Sequence, residues 1–528
     1  MAQIIVNNST SRLLADRGVI SDIRRLVAYR EIELPPPPAQ AIIKSFFMRR
    51  KRHGPYKDIE RLYADLDTHR QLEAVGCPYG YLSPDMIEQV LRQRGSWDGW
   101  IRMVGADGGF QTGLLPHVVR ALRLRLGLIA DVFDERVAPP TAAFSIVPVP
   151  PLYDFQKEAL DAFVQNDRGI VELPPRSGKT HIAIAVIITL SVPTLYVVPT
   201  VGIATQTVKA LRRYMPHGDV MQITGGAPNA KRKRLMAGTR VWVVTPGTAA
   251  GPRPQRKGQH RRGITGIGSR HLLIIDEFHH SAANTWQDIS LSANNAYYRL
   301  GLTGTNYRAD GKDMLMRSVV SRTVYRRSVS DMIAASRLVP AFVAMLRVPG
   351  RVDDCGFRTY YVNGVVENDD RNKLIAQASA KLVAAGRRVL VLVKEIKHAE
   401  SLYEITANSV QVDGRNHQAV ADAIAAMQSG KVKVIIGTSV IGEGIDVPAA
   451  DALIYAAAGR SKVKVVQDFY RVLTASEGKK FGVIVDFADN HNEALLKQAA
   501  HRLDLYRREF QADVMQPTQF DSWLRGLG

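Results

Sequence analysis

The 528-residue chain is short of what marks a secreted or membrane-spanning protein. It holds two cysteines, Cys77 and Cys355, too few for a disulfide framework or a zinc site, so both are read as ordinary thiols of a reducing cytoplasm. No apolar run approaches the ~20 residues of a membrane span, and residues 1–25 carry charges where a signal peptide has its apolar core. No membrane partner is expected. The other shortage is acidic side chains: 50 Asp and Glu face 70 Lys and Arg, a net charge of +20. An excess of that size points to a polyanionic partner, and nucleic acid fits it. The imbalance is concentrated. Residues 151–330 hold 25 basic and 11 acidic side chains, against 20 and 16 in residues 1–150 and 25 and 23 in residues 331–528.

Inside the basic segment stands Leu173–Thr180, LPPRSGKT, between a short apolar run (Gly169–Val171) and a longer one (His181–Leu190). Strand, tight loop, helix is the context of a phosphate-binding loop, in which Pro175, Arg176, Ser177, Gly178, Lys179 and Thr180 would surround a polyphosphate. The unpaired N–H groups and the dipole of a helix N-terminus favour an anion there. Lys179 would reach the β- and γ-phosphates of ATP, and the Thr180 hydroxyl would sit on Mg²⁺. The first glycine of the usual loop is missing; Leu173 occupies its place. About a hundred residues on, Leu272–Ile275 runs straight into Asp276 and Glu277. Four apolar residues ending in two acids put the carboxylates at the C-terminal edge of a sheet, where α/β proteins bind ligands. Asp276 would hold Mg²⁺ and Glu277 would orient and deprotonate the attacking water.

The rest of the chain supplies the frame. In residues 1–150, Pro35–Pro38 is expected to be an extended polyproline spacer, and His117–Leu128 to be a helix whose Arg120, Arg123 and Arg125 form either a solvated face or a nucleic-acid contact. Val137–Pro151 is proline-rich and reads as a linker. Buried parallel strands are then expected at Gly169–Val171, Thr194–Val198, Val241–Val244 and Leu272–Ile275, and in a second series at Arg388–Val393, Val432–Ile436, Leu453–Tyr455 and Phe481–Val485. The fold class is α/β with two parallel-sheet domains in tandem, 151–330 and 331–528, joined near Ser330–Val339, behind an N-terminal domain of residues 1–150. Glu493–Phe510 has the spacing of one amphipathic helix. Two basic stretches, Lys231–Arg234 and Gly251–Gly263, are expected to be surface loops, the second either mobile and DNA-binding or idle.

The ordered stretches LPPRSGKT, IIDEFH, LGLTGT (Leu300–Thr305), GTSVIGEGIDVP (Gly437–Pro448) and QDFYRVLT (Gln467–Thr474) resemble those of superfamily 2 helicases and translocases. LGLTGTNYR is similar to a segment of the XPB, UvsW and RecG-like DNA helicases. Asp370–Asn372, FGVIVDFAD and, in the N-terminal part, GFQTGLLPHVV resemble UvsW-type phage recombination helicases. The resemblance implies two RecA-like domains with an N-terminal accessory domain that reads the DNA substrate. It implies that Gln156 reads adenine, that Gly444 and Asp446 meet the nucleotide sugar, and that Gln467 and Arg471 meet its phosphates. Thr303 and Thr305 would couple hydrolysis to movement. Pro199, Thr200, Gln206, Gly225, Gly226, Thr245, Thr438 and Ser439 would touch the nucleic-acid backbone, joined by Arg256 and Arg261 of the second basic loop. One departure stands out. The usual final stretch ends in two arginines, but here Thr474 replaces the second, leaving Arg471 as the expected finger.

The expected activity is ATP-dependent unwinding or translocation on single-stranded, forked or branched DNA, in recombination, repair or replication, with ATP and Mg²⁺. Two alternatives stay open: an RNA helicase, and a nucleotide-dependent DNA clamp or annealing factor with weak turnover. The compartment is the cytoplasm, that of a host if the chain is phage-encoded.

Overall fold

The computed structural model describes residues 2–30, 37–48, 61–62, 64–75, 77, 82, 86–87, 90–91, 100–140, 148–224, 238–251, 264–277, 283–304, 313–352, 360–413, 416–438, 450–459, 462–476, 478–515 and 517–525. The chain forms two compact units. One comprises Met1–Pro139, Ala282–Tyr297 and Tyr307–Arg322; the other comprises Pro140–Ser281, Tyr298–Asn306 and Thr323–Gly528.

The larger unit holds two seven-stranded sheets, both wholly parallel. The first is built from β7 (Arg168–Glu172), β8 (Thr194–Val197), β9 (Val220–Ile223), β10 (Val241–Val244), β11 (Leu272–Asp276), β12 (Tyr298–Thr303) and β13 (Thr323–Arg326), in the order β13-β7-β12-β11-β8-β10-β9. The inner strands β8, β10 and β11 are nearly continuous apolar runs, buried along their whole length, as strands covered on both faces require. The register sets Asp276 opposite Leu302 and Thr303 opposite Glu172. The carboxyl ends of β7, β12 and β11 therefore lie side by side on one edge. All four strands read from the sequence are present. The three others were hidden: β9 and β13 are short, half-exposed edges, and β12 has Arg299 and Gly301 breaking its apolar run.

The second sheet comprises β14 (Ala341–Leu346), β15 (Val389–Val393), β16 (Ser409–Val412), β17 (Val434–Thr438), β18 (Ala452–Tyr455), β19 (Gly482–Phe487) and β20 (Asp513–Met515), in the order β16-β17-β15-β18-β19-β14-β20. The helix Glu493–Phe510 joins the core of this sheet through Ala499, Leu505, Tyr506 and Phe510, while Leu495 packs against Tyr360, Tyr361 and Val365. A charged network closes the carboxyl end of this sheet. Arg371 donates to Asp489 at 2.9 Å and to the Ala456 carbonyl at 3.0 Å. Arg502 donates to both oxygens of Asp486, at 2.8 and 2.9 Å, and to the carbonyls of Gly459 (2.8 Å) and Phe487 (3.1 Å). Tyr506 donates its hydroxyl to Asp486. All four charged side chains are fully buried.

The smaller unit has a four-stranded sheet, β5-β2-β1-β6, from β1 (Ala2–Val6), β2 (Thr10–Leu14), β5 (Gly109–Gln111) and β6 (Ala130–Asp134), and a ribbon of β3 (Ala28–Arg30) with β4 (Trp100–Arg102). Ile4, Leu13, Ile23, Phe110, Leu114 and Val118 make its core with the helices Arg17–Leu26 and Leu115–Leu126. One expectation is corrected here. Pro37 and Pro38 are not in an extended spacer but open the helix Pro37–Phe47, whose first turn has no partner for the N–H that proline lacks; Pro35 and Pro36 lie outside the described residues.

The same unit includes two helices from far along the chain, Ala283–Ser292 and Asp313–Val319. They follow directly after β11 and β12. The second docks on GFQTGLLPH, where a Cβ on Gly113 would stand 2.3 Å from the Arg317 carbonyl oxygen and 2.5 Å from that of Ser318. Only glycine allows that approach. The Ser318 hydroxyl lies 3.0 Å from Gln111 Oε1, and Arg317 Nη1 lies 3.2 Å from His117 Nε2. Among the described residues, no helix is long and apolar enough to cross a membrane.

Candidate nucleotide site

The site is assembled on the shared edge of β7, β12 and β11. Beyond β7, the Leu173 N–H donates to the Thr303 carbonyl at 3.0 Å, so the loop leaves the sheet bonded to the end of β12. Leu173 is fully buried, which suits an apolar residue at this position. Arg176 (φ 69°) and Gly178 (φ 79°) turn the chain into the helix Lys179–Leu190. A Cβ on Gly178 would lie 2.5 Å from Gln156 Nε2, so the loop needs glycine there twice over. Gln156 fixes the loop from the side. Its Oε1 accepts from Tyr153 N at 3.0 Å and its Nε2 donates to the Ser177 carbonyl at 2.9 Å. Pro175 and Arg176 are half-buried, and the Ser177 hydroxyl is buried with no hydrogen-bond partner among the described residues.

Lys179 Nζ stands 3.4 Å from Glu277 Oε1 and donates to the Leu173 carbonyl at 3.3 Å. Asp276, the last residue of β11, accepts from Glu277 N at Oδ1 (3.0 Å) and from the Tyr196 hydroxyl at Oδ2 (3.2 Å). Burial, then the neighbouring Glu277 charge, push the Asp276 carboxyl up to about 6, with Lys179 working against them. Glu277 sits at φ 44°, a backbone conformation that non-glycine residues avoid and that is typical of reactive positions. Thr303 is buried at the end of β12, and Thr180 is half-buried one residue into the helix.

These residues suit a magnesium–polyphosphate group. Lys179 faces two carboxylates, the buried Asp276 and the partly buried Glu277, a local surplus of negative charge that a divalent cation would neutralise. Among the described residues no group of three or more His, Cys, Asp and Glu could hold a metal alone. Mg²⁺ does not need one, because it is bound by one or two carboxylates together with water and phosphate oxygens. Asp276 and Thr180 meet that requirement, and the unpartnered Ser177 hydroxyl is available to a phosphate oxygen.

The remaining expected residues fall in three groups. Pro199 and Thr200 follow β8, and Thr245 follows β10, at the same edge of the sheet. Thr200 caps the helix Val201–Leu211 by accepting from Ile203 N at 3.3 Å, Thr245 shares a hydrogen bond with Thr248 at 3.0 Å, and Gln206 is exposed. In the second sheet Thr438 ends β17 and is buried. Arg471, in the helix Lys462–Leu473, is buried with its Nε 3.3 Å from Asp468 Oδ1. Thr474 donates to the Tyr470 carbonyl at 3.2 Å and so serves its own helix end. Gly225, Gly226, Arg256, Arg261, Thr305, Ser439, Gly444 and Asp446 lie outside the described residues, as do the Gln467 side chain and both basic loops apart from Gly251.

Two features had no warning in the sequence. Tyr196 reads as one more apolar strand residue until its hydroxyl is found on Asp276. The link Arg337–Val339 joins Tyr153 to the arginine helix: the Arg337 guanidinium lies 3.6 Å over the Tyr153 ring, its carbonyl accepts from Ala475 N at 3.1 Å, and Val339 N donates to the Leu473 carbonyl at 2.8 Å. Tyr153, Phe155, Glu158, Arg327, Asp331 and Arg337 border a cavity of about 360 Å³ beside the Gln156 helix.

Two family models match the chain, "Type III restriction enzyme, res subunit" over residues 150–308 and "Helicase conserved C-terminal domain" over residues 370–476, together half of its length. The chain belongs to the superfamily 2 helicases. As such it is an ATP-dependent helicase, an ATP hydrolase with tandem RecA-like domains. It is 25% identical over 277 residues to a protein of Sulfolobus islandicus filamentous virus named as helicase 22, spanning about half the length of that protein (49%) and 48% of this chain. It is 26% identical over 401 residues to the DNA 3′-5′ translocase XPB2 of Sulfurisphaera tokodaii, covering 68% of this chain and 84% of that one. To the ATP-dependent DNA helicase uvsW of Enterobacteria phage T4 it is 22% identical over 466 residues, 79% of this chain and 89% of the other. The crystal structure of that phage protein aligns over 97% of this chain and 99% of its own with a TM-score of 0.42 and 17% identity.

Proposed function

We propose that this superfamily 2 helicase moves along DNA and remodels branched or partly duplex DNA, in recombination, repair or replication. The observation that carries the reading is the meeting of Lys179, Asp276, Glu277 and the phosphate loop on one sheet edge. Lys179 pairs with Glu277 here; an entering triphosphate would draw the ammonium to its β- and γ-oxygens. Glu277 is then released to orient and deprotonate a water. Asp276 and Thr180 would hold Mg²⁺, which supplies charge neutralisation at the transferring phosphate. Gln156 would read adenine while it braces the loop, and Gly444, Asp446, Gln467 and Arg471 would complete the nucleotide's surroundings. Because Leu173 is bonded to Thr303, a shift of the loop passes directly to the pair Thr303 and Thr305, coupling hydrolysis to movement.

DNA is favoured as the track by the DNA helicases and translocases among the relatives, and the charge of +20 suits a strand held through its phosphates. Pro199, Thr200, Gln206, Gly225, Gly226 and Thr245 would grip it from one domain (151–330), helped by Arg256 and Arg261, and Thr438 and Ser439 from the other (331–528). Residues 1–150 would select the junction. Steady-state ATPase measured with single-stranded DNA, forked DNA and RNA tests the reading. The expected order is forked DNA first and RNA last. Stimulation by RNA alone would make this an RNA helicase, and no turnover with any of them would leave a nucleotide-dependent clamp.

A further inference from the structure

We infer that Tyr196 is a positioning residue for the metal end of the nucleotide site, its hydroxyl setting the orientation of the Asp276 carboxylate. The inference rests on the reading of Asp276 and Thr180 as the Mg²⁺ side of that site.

Tyr196 lies in the middle of β8, in register with Ile274 of β11. Its neighbours Leu195, Val197 and Val198 are fully buried and apolar, as a strand covered on both faces requires. A phenol with no exposed surface fits such a strand only if its hydroxyl is satisfied. Its bond goes to the candidate site: the hydroxyl donates to Asp276 Oδ2 at 3.2 Å.

The consequence is geometric. The terminal torsion of an aspartate is broad and holds no fixed orientation by itself. Here each oxygen has one anchor: Glu277 N on Oδ1 and Tyr196 on Oδ2. The lone pairs that remain are held in one direction. The same hydroxyl ties the middle of β8 to the end of β11, two strands the chain separates by about 80 residues. Partners of this kind behind a metal ligand typically change metal affinity or activity ten- to a hundredfold when removed.

Tyr196→Phe deletes one oxygen and keeps the packing. With the full-length protein and the fluorescent nucleotide mant-ADP, affinity is measured first in EDTA and then across a Mg²⁺ titration, alongside thermal unfolding without nucleotide. The variant should match wild type in EDTA and in unfolding temperature, while the Mg²⁺ concentration for half-maximal tightening rises about tenfold or more. An unchanged Mg²⁺ midpoint overturns the inference. So does an equal loss of affinity in EDTA, which would make Tyr196 a general support of the loop. Should Tyr196→Phe not fold, Tyr196→Leu, which suits an apolar strand, is read in the same way. If wild-type protein itself fails to bind mant-ADP, the fault lies with the nucleotide site and not with Tyr196.

Discussion

Both seven-stranded sheets bury charged side chains at their carboxyl ends, and they treat them in opposite ways. On the second sheet two arginines meet two aspartates. Arg502 alone makes two bonds to Asp486 and two to backbone carbonyls, and Tyr506 adds a further donor. On the first sheet one lysine faces two acids, and Asp276 is pushed up to about 6. Positive φ occurs beside both, at Arg176 and Glu277 near the first cluster and at Ala458 and Asp489 near the second. Each also holds a buried polar atom with no hydrogen-bond partner among the described residues, Ser177 Oγ in one and Arg371 Nη2 in the other, so only the balance of charge separates them. A buried ion network perturbs titration wherever it occurs, so perturbation alone does not mark a reactive site. Imbalance does. A cluster short of one cation is built to receive something; a balanced one is built to hold the chain.

The largest effect that would break this contrast lies in the second sheet. Arg502→Leu leaves Asp486 buried opposite no cation, which costs on the order of 3–5 kcal/mol. Chemical or thermal unfolding should show that loss, while the molecules that remain folded keep their ATP turnover. A cost below ~1 kcal/mol would mean that the network is not a scaffold. Arg471 is the bridge between the two behaviours, since it is buried and paired with Asp468 yet is the expected finger. Arg471→Ala should lower kcat about ten- to a hundredfold with little change in ATP affinity. That is less than the 10³–10⁵ of fingers that are free to act, because Asp468 must release it first. A rise in KM with kcat unchanged would remove it from the transition state.

The smallest effect tests the quiet side of the second sheet. His398 is buried, with Nε2 2.9 Å from Asn372 Oδ1, and burial followed by the nearby Arg371 charge pushes it down to about 3. The unfolded chain takes up a proton on this residue below its ordinary pKa of about 6.5 and the folded one does not. Stability should therefore be flat above pH 6.5 and fall as the pH drops from there toward 3, by about 1.4 kcal/mol at pH 5.5. Unfolding measured from pH 7.5 to 5 should show this slope in wild type and lose it in His398→Gln.

What the sequence made legible was local. The phosphate loop, the paired acids and the ordered family stretches are each contiguous, and continuous apolar runs located eight strands of the two sheets. The helix Glu493–Phe510 was read to the residue. What escaped depends on contacts between distant residues. Asp370–Asn372 and FGVIVDFAD stood out as family-like, but that Arg371 reaches Asp489 and that Arg502 joins them is visible only in three dimensions. Tyr196 was hidden among apolar neighbours because its function lies in one oxygen atom. The helices after β11 and β12 look like parts of the first sheet domain, yet they pack with the N-terminal residues through the close approach at Gly113. Short edge strands such as β16 and β20 bury too little to leave an apolar run.

The contrast between the two sheets is tested most directly by Glu277→Gln, with turnover and unfolding measured on the same preparation. Removing one carboxylate relieves the negative surplus of the first cluster, so the unfolding temperature should hold or rise, while ATP still binds and hydrolysis falls at least about a hundredfold. Turnover that survives, or a loss of stability like that expected for Arg502→Leu, would contradict it.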